Sequence, residues 1–237
     1  MLELERQNAY RQRYREMKPG WMPATEVYEA AIRRYLAPGM RLLDAGCGRG
    51  GIVEQLDGGG YWVAGLDPDL ISLREHRLGI DRVAAWLGRT PFTRNSFDLV
   101  IGSWILEHLD HPESVLKEIV RILKPQGHFI VLTPNGAHPV SIANRMLAWA
   151  KPIQARLVPK LYGRSEQDTF PVKYRANTRR QLEQLSRVAG MQLEFFWSVP
   201  DPTYLAFNDW LFNQSCRLES RLPESSRIHI VADFVRL

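Results

Sequence analysis

With 237 residues, 45% of them hydrophobic, the chain can bury a core as one large domain or two small ones. Cys47 and Cys216 make neither a disulfide framework nor a metal-ligand cluster, no apolar run approaches the ~18 residues of a bilayer span, and Met1 to Lys18 lacks a secretion signal's apolar segment, so a cytoplasmic protein is expected. The net charge of +5, with Arg6, Arg11, Arg13, Arg15 and Lys18 diluted by Glu3, Glu5 and Glu16, reads as a solvated basic surface and, lacking a zinc-finger or RRM-type signature, points to no nucleic-acid partner.

Residues 1–22 read as an arm with helical character, ended by Pro19-Gly20 and Pro23. Thr25 is placed to cap a helix through Val27, Ala30, Ala31, Tyr35 and Leu36, stopped by Pro38-Gly39. A strand is predicted over 41–45, helical turns over 51–56, a strand over 61–66, a helix over 68–78 with Pro68 in its first turn, and a strand over 81–86. The continuous apolar run 97–103 predicts a strand buried on both faces. Val115, Leu116, Ile119, Ile122 and Leu123 share one face of a helix over 112–123, stopped by Lys124-Pro125-Gln126-Gly127, and 128–133 follows as a strand. Strands alternating with helices imply right-handed βαβ units in a doubly wound parallel sheet.

After Thr133-Pro134-Asn135-Gly136 the pattern loosens. Ile142, Met146, Leu147, Trp149, Ile153, Leu157 and Val158 form an amphipathic stretch interleaved with Arg145, Lys151, Arg156 and Lys160, and broken by Pro152 and Pro159. Order returns with a helix over 177–189, a strand over 191–197, a helical piece over 203–220 and a strand over 228–235. The two late strands suit an antiparallel pair at the sheet edge. One domain is expected, divided into an arm (1–24), a cofactor-binding core (25–135), a lid insertion (136–176) and a C-terminal part (177–237).

The chemistry is concentrated in Leu42-Leu43-Asp44-Ala45-Gly46-Cys47-Gly48-Arg49-Gly50-Gly51, with a second acid at Asp67. A glycine turn after a strand lets the backbone press against a ligand at the mouth of a parallel sheet. Gly46, Gly48 and Gly51 satisfy the dinucleotide pattern, so a nicotinamide-type oxidoreductase is one reading. Asp44 opposes it: a carboxylate there repels pyrophosphate but accepts hydrogen bonds from an ammonium, which S-adenosylmethionine carries without a phosphate. Asp67 is placed to receive both hydroxyls of a ribose, or to start the next helix ahead of Pro68.

The Asp44–Gly51 loop, Gly65-Leu66-Asp67, Pro91-Phe92 with Ser96-Phe97-Asp98-Leu99-Val100, Leu106-Glu107-His108-Leu109 and Leu123-Lys124-Pro125-Gln126-Gly127 resemble, in order and spacing, a class I S-adenosylmethionine-dependent methyltransferase of the group that includes the ubiquinone- and menaquinone-pathway enzymes. The resemblance covers 40–135. It implies a Rossmann-like sheet of seven strands in the order 3-2-1-4-5-7-6, the last antiparallel, with S-adenosylhomocysteine as product. It also implies a cofactor site of Asp44, Gly46, Cys47, Gly48, Gly50, Asp67, Pro68, Trp86, Leu87 and Ser103. The acid that such proteins often carry after strand three is replaced near Trp86, whose indole can line the adenine pocket while the Leu87 N–H meets a ring nitrogen.

The strand over 97–103 directs Ser103, Trp104, Glu107 and His108 toward the reacting end of the cofactor. His108 is the candidate base, since imidazole titrates near neutrality, and Glu107 is its candidate partner; both also suit a scaffold role. A single Glu-His pair with His111 beyond is too thin to assign a metal. The motif of methyltransferases acting on amino groups of DNA or protein amides is absent after this strand. Aromatic residues including Tyr10, Tyr14, Trp21, Tyr162, Phe170, Tyr204 and Trp210 populate the segments outside the core, with His138, Tyr174 and Arg175 as candidate substrate contacts. The basic amphipathic 141–160 segment is a candidate peripheral membrane contact. The expected activity is methyl transfer to oxygen or carbon of a quinone, lipid-linked or specialised-metabolite acceptor, with a non-catalytic cofactor-binding protein as the further alternative. The sequence is silent on oligomeric state.

Overall fold

Apolar runs too short for helices and too continuous for a half-solvated sheet assemble here into a central sheet. The structure, a computed structural model, describes residues 4–56, 59–149 and 172–237. In chain order the strands are β1 (Arg41–Ala45), β2 (Trp62–Asp67), β3 (Asp81–Ala84), β4 (Phe97–Ser103), β5 (Leu123–Pro134), β6 (Met191–Val199) and β7 (His229–Arg236). They lie in the order β3-β2-β1-β4-β5-β7-β6. The first five are parallel, and β7 runs antiparallel to both β5 and β6. The doubly wound expectation and its strand order are both met.

Adjacent residues on the central strands face opposite layers, which is why these strands read as unbroken hydrophobic runs. Leu43, Val100, Val131 and Ala232 point to one side, where α4 (Pro112–Ile122) packs through Val115, Leu116, Ile119 and Ile122. The same layer receives Leu182 of α6 (Arg179–Ala189). Leu42, Ile101, Ile130 and Val231 point to the other side, against Tyr28, Ala31 and Ile32 of α2 (Ala24–Arg33).

Several predicted boundaries move for identifiable reasons. Helix α2 starts at Ala24 behind Pro23, which supplies no side-chain cap, so Thr25 lies exposed in the first turn rather than capping it. The turns after the glycines shrink to one 3-10 turn, Ile52–Gln55. Helix α3 is only Leu70–Arg74, because Asp69, not Pro68, begins it: the Asp69 carboxylate accepts from the N–H groups of Ile71 (3.0 Å) and Ser72 (3.2 Å). Strand β3 stops at Ala84, two residues short of Trp86, whereas β6 runs on to Val199. Strand β5 starts directly at Leu123, incorporating the supposed stop. Gly127 permits this, since a Cβ there would lie 2.9 Å from the Lys124 carbonyl oxygen and 3.0 Å from that of Asp98. Helix α6 begins at Arg179 with the Thr178 hydroxyl as its cap. The late helical piece divides into a 3-10 turn, Pro202–Leu205, and α7 (Asp209–Arg221).

The N-terminal arm is helix α1 (Leu4–Met17), held against the C-terminal part by aromatic and polar contacts. Tyr10 stacks on Phe212 at 4.7 Å and donates to Asp209 (3.0 Å), and Trp21 Nε1 donates to the Pro200 carbonyl (2.8 Å). The Arg11 guanidinium reaches the buried Asp201 carboxylate at 3.3 Å. After β5 the chain forms α5 (Pro139–Trp149). Lys151, Pro152, Ile153, Arg156, Leu157, Val158, Pro159, Lys160, Tyr162 and Phe170 lie outside the described residues, and with them most of the 141–160 segment. Among the described residues no helix is long and apolar enough to cross a membrane.

Candidate functional site

The carboxyl ends of the parallel strands lie along one edge of the sheet, and the start of β7, antiparallel to β5, joins them: His229 pairs with Pro134. Every group considered below belongs to this edge or to chain packed on it.

At its centre the chain leaves β1 and crosses over β2, the N–H groups of Gly46 (2.7 Å) and Cys47 (3.2 Å) both donating to the Leu66 carbonyl. Gly46 has φ +75° and Gly50 +111°. A Cβ on Gly46 would come within 2.3 Å of Ile105 Cγ2, so both backbone and space demand glycine there. The Cys47 thiol packs inward on Gly65, burial and then the Asp44 and Asp67 carboxylates pushing it up to about 12. Cys47 therefore presents no reactive sulfur.

Two acids flank this turn. Asp67 closes β2 and clamps the loop: its Oδ2 accepts from the Gly48 N–H (2.9 Å) and its Oδ1 from the Asp69 N–H (2.8 Å). Asp44, in β1, is 4% exposed. Burial, and then the nearby Asp67, raise its carboxyl from 3.8 to about 7. The hydroxyl of Tyr28, on α2, is buried beside it; burial and then Asp44 hold that phenol well above its ordinary value. Tyr28 was not singled out in the sequence; its place beside Asp44 makes it a candidate site residue.

Along the β3 side, Pro68 is exposed and Leu87 packs partly on the core, whereas the Trp86 indole is left 74% exposed. Toward the other side, Ser103 ends β4 half-buried. Trp104 follows it at φ +58°, its N–H tied to the Leu132 carbonyl (2.8 Å).

Glu107 and His108 are neighbours in a 3-10 turn but have different surroundings. The Glu107 carboxylate is buried and accepts from the Thr133 hydroxyl (3.0 Å), which in turn accepts from Asn177 Nδ2 (2.6 Å). The Glu107 carbonyl receives the N–H groups of Lys173 (2.5 Å) and Tyr174 (3.3 Å). Glu107 thus ties the chain re-entering from the insertion to the turn after β4. The His108 ring is 31% exposed, with its Nε2 3.9 Å from Glu107 Oε1, beyond hydrogen-bond length.

The three candidate substrate contacts separate. Arg175 is exposed and donates to the Asp110 carbonyl. Tyr174 is buried at φ +52°, its hydroxyl held by Ser141 and Asn144 of α5, with burial raising its pKa. His138 is buried as well: its Nδ1 accepts from the Val140 N–H (3.1 Å), which leaves the ring proton on Nε2, 3.2 Å from Glu219 Oε1.

Beside His138 stands a group missed in sequence. His229 is buried at the start of β7, its Nε2 2.9 Å from the Tyr204 hydroxyl and its ring 5.2 Å from the Trp104 indole, edge to face. Two signals were available: a histidine opening the apolar run Ile230-Val231-Ala232, and Glu219 in helical register with the buried Phe212 and Ser215 of α7. Among the described residues no cluster of metal-ligating side chains forms.

Comparisons with known proteins bear on the family of the chain. A family model described as a methyltransferase domain matches residues 43–131. The demethylmenaquinone methyltransferase of Renibacterium salmoninarum is 29% identical over 177 residues, 73% of this chain and 72% of that protein. The ubiquinone biosynthesis O-methyltransferase of Xanthomonas oryzae pv. oryzae is 30% identical over 164 residues, 66% of this chain and 67% of that one. Of other relatives the chain spans only 29–41% of the length. The structure of geranyl diphosphate C-methyltransferase from Streptomyces coelicolor A3(2), with S-adenosyl-L-homocysteine bound, superposes with a TM-score of 0.59 at 16% identity, covering 90% of this chain and 79% of that one. Between the two cofactors that a glycine turn allows, these likenesses decide: the chain belongs to the S-adenosylmethionine-dependent methyltransferase family.

Proposed function

We propose that this methyltransferase acts on a small, largely apolar acceptor at oxygen or carbon, a quinone-type, lipid-linked or specialised-metabolite ring. The observation that carries the reading is the turn Gly46–Gly50 held between a buried acid, Asp44, and a clamping acid, Asp67. Relatives named for demethylmenaquinone, ubiquinone and sterol methylation support the acceptor class. When bound, S-adenosylmethionine supplies a methyl group already activated on a sulfonium.

The chain's own groups have separable tasks. Asp44 accepts from the ammonium, and Asp67, with lone pairs beyond its two backbone bonds, receives the ribose hydroxyls. Backbone of Gly46, Cys47, Gly48 and Gly50, with Pro68, shapes the floor of this site. Trp86 offers its exposed face to the adenine, the Leu87 N–H serves a ring nitrogen, and Ser103 borders the sulfonium end. Glu107 is a positioning residue. His108, open to solvent on one side, is the group placed to take a proton from an acceptor hydroxyl, where a base contributes roughly 10²–10⁴ in rate.

Two expectations follow for the site. His108→Ala should lower turnover at least tenfold while affinity for S-adenosylhomocysteine, measured by titration calorimetry, stays within about twofold; equal turnover would make His108 scaffold. The second concerns pH. Because the folded protein retains the Asp44 proton between 3.8 and about 7 while the unfolded chain has released it, Asp44 costs stability increasingly across that window, and in full above it. A neighbouring ammonium favours the carboxylate instead. Affinity for S-adenosylhomocysteine should therefore rise with pH toward about 7 and level off, with proton release on binding below that point. Calorimetry in buffers of different ionisation heat reads this release, and Asp44→Asn should abolish it; release undiminished in that variant would refute the assignment.

The direct test of the whole reading is transfer of labelled methyl from S-adenosylmethionine to a panel of demethylated quinols, phenols and sterols. NADH should fail to bind where S-adenosylhomocysteine does. Transfer confined to amines or protein would overturn the acceptor class.

A further inference from the structure

Resting on that reading of the acceptor, we infer that His229, His138 and Glu219 form the polar end of the acceptor pocket and select an uncharged hydroxyl over carboxylate, phosphate or amine. The groups proposed for the cofactor stand over β2 and β1, and Trp104 follows β4. In the order β1-β4-β5-β7, His229 lies three strands from Asp44, roughly 15 Å along the sheet edge at ~4.8 Å per strand. An acceptor approaching the end of β4 from the side opposite the cofactor meets His229 and then Trp104.

Among the described residues, three buried polar atoms in this cluster have no hydrogen-bond partner: His229 Nδ1, His138 Nε2 and Glu219 Oε2. The contact of His138 Nε2 with Glu219 Oε1 is close, at 3.2 Å, but misaligned for a hydrogen bond. Leaving such groups unpaired in a buried space is costly, a cost that a matching ligand removes. The His229 ring is neutral, since burial holds its pKa down to about 4; the nearby Asp201 carboxylate raises it whereas the Arg11 guanidinium lowers it.

The pattern of donors and acceptors narrows the ligand. His138 Nε2 carries a proton and donates, and Glu219 Oε2 accepts. A hydroxyl both accepts and donates, so it can satisfy the two together. An ammonium only donates and would leave His138 unmatched. A carboxylate or phosphate only accepts and would leave Glu219 Oε2 without a donor. His229 Nδ1, one neutral site, then meets a second polar atom on the same acceptor.

The test uses the full-length ¹⁵N-labelled protein saturated with S-adenosylhomocysteine and titrated with catechol, benzoate or benzylamine. Long-range ¹H–¹⁵N spectra of the imidazoles report each ring nitrogen. Catechol is expected to saturate and to move His229 Nδ1 and His138 Nε2, with benzoate and benzylamine binding at least tenfold more weakly. His229→Phe should weaken catechol at least tenfold with S-adenosylhomocysteine affinity unchanged; Glu219→Gln serves if that variant does not fold. Tighter binding of either charged probe, or unmoved His229 resonances throughout the catechol titration, overturns the pocket. Methyl transfer to quinols with those resonances unmoved would overturn this pocket alone; His229 responding to catechol without transfer to any quinol or phenol would instead overturn the acceptor class.

Discussion

Asp67→Ala should reduce affinity for S-adenosylhomocysteine by well over tenfold, the largest effect expected from a single side chain in this protein. A charge-assisted acceptor is worth roughly 1.5–3 kcal/mol, and 1.4 kcal/mol is already a factor of ten. Asp67 has a second role that adds to this. Its two oxygens hold the N–H groups of Gly48 and Asp69, so its removal frees both the glycine turn and the start of α3. Asp67→Asn separates the parts: one oxygen remains for a backbone N–H, and the loss should be smaller than with alanine. Calorimetric affinities for the two variants check this. Wild-type affinity in Asp67→Ala would remove Asp67 from the site.

Gly46→Ala is expected to be the most damaging change in the turn itself. Its Cβ would lie 2.3 Å from Ile105 Cγ2, and its φ of +75° is left-handed. Overpacking of this kind costs about 1–3 kcal/mol and a left-handed L-residue about 1–2 more. A total of roughly 2–5 kcal/mol is a large share of a typical domain's stability. For a chain of this size it corresponds to a fall in Tm of about 5–15 °C. Gly48→Ala is the control, since at φ +49° a Cβ there meets nothing within 4 Å. It should cost only the backbone term, and equal losses in the two variants would mean that Ile105 yields without penalty.

The half proposed for the cofactor was legible because its chemistry is local. Asp44, the glycines and Asp67 carry their roles in backbone-adjacent patterns, and the strands around them are unbroken apolar runs. The half proposed for the acceptor was not. His229, Tyr204 and Glu219 come from β7, the 202–205 turn and α7, and only the packing of these elements brings them beside His138 and Trp104. Boundaries failed where one side chain decided them. Asp69 rather than Pro68 starts α3, and Gly127 lets β5 run through a segment that reads as a stop. Glu107 and His108 look alike in sequence, yet Thr133 occupies one while the other keeps a solvent face.

Two asparagines bracket the insertion that follows β5. Asn135 binds the carbonyls of Ser225 and Arg227 through Nδ2 (2.8 Å each), and Asn177 binds Thr133 and the Pro134 carbonyl (3.1 Å). The N–H of Gly136 donates to the Asn177 carbonyl (2.7 Å), so departing and returning chain are stitched together at the sheet edge. Whatever lies between is a cassette with a closed neck. Lys173 and Tyr174 still tie its returning end to the Glu107 carbonyl, so the length and composition of what precedes them can drift while the neck and the turn after β4 stay joined.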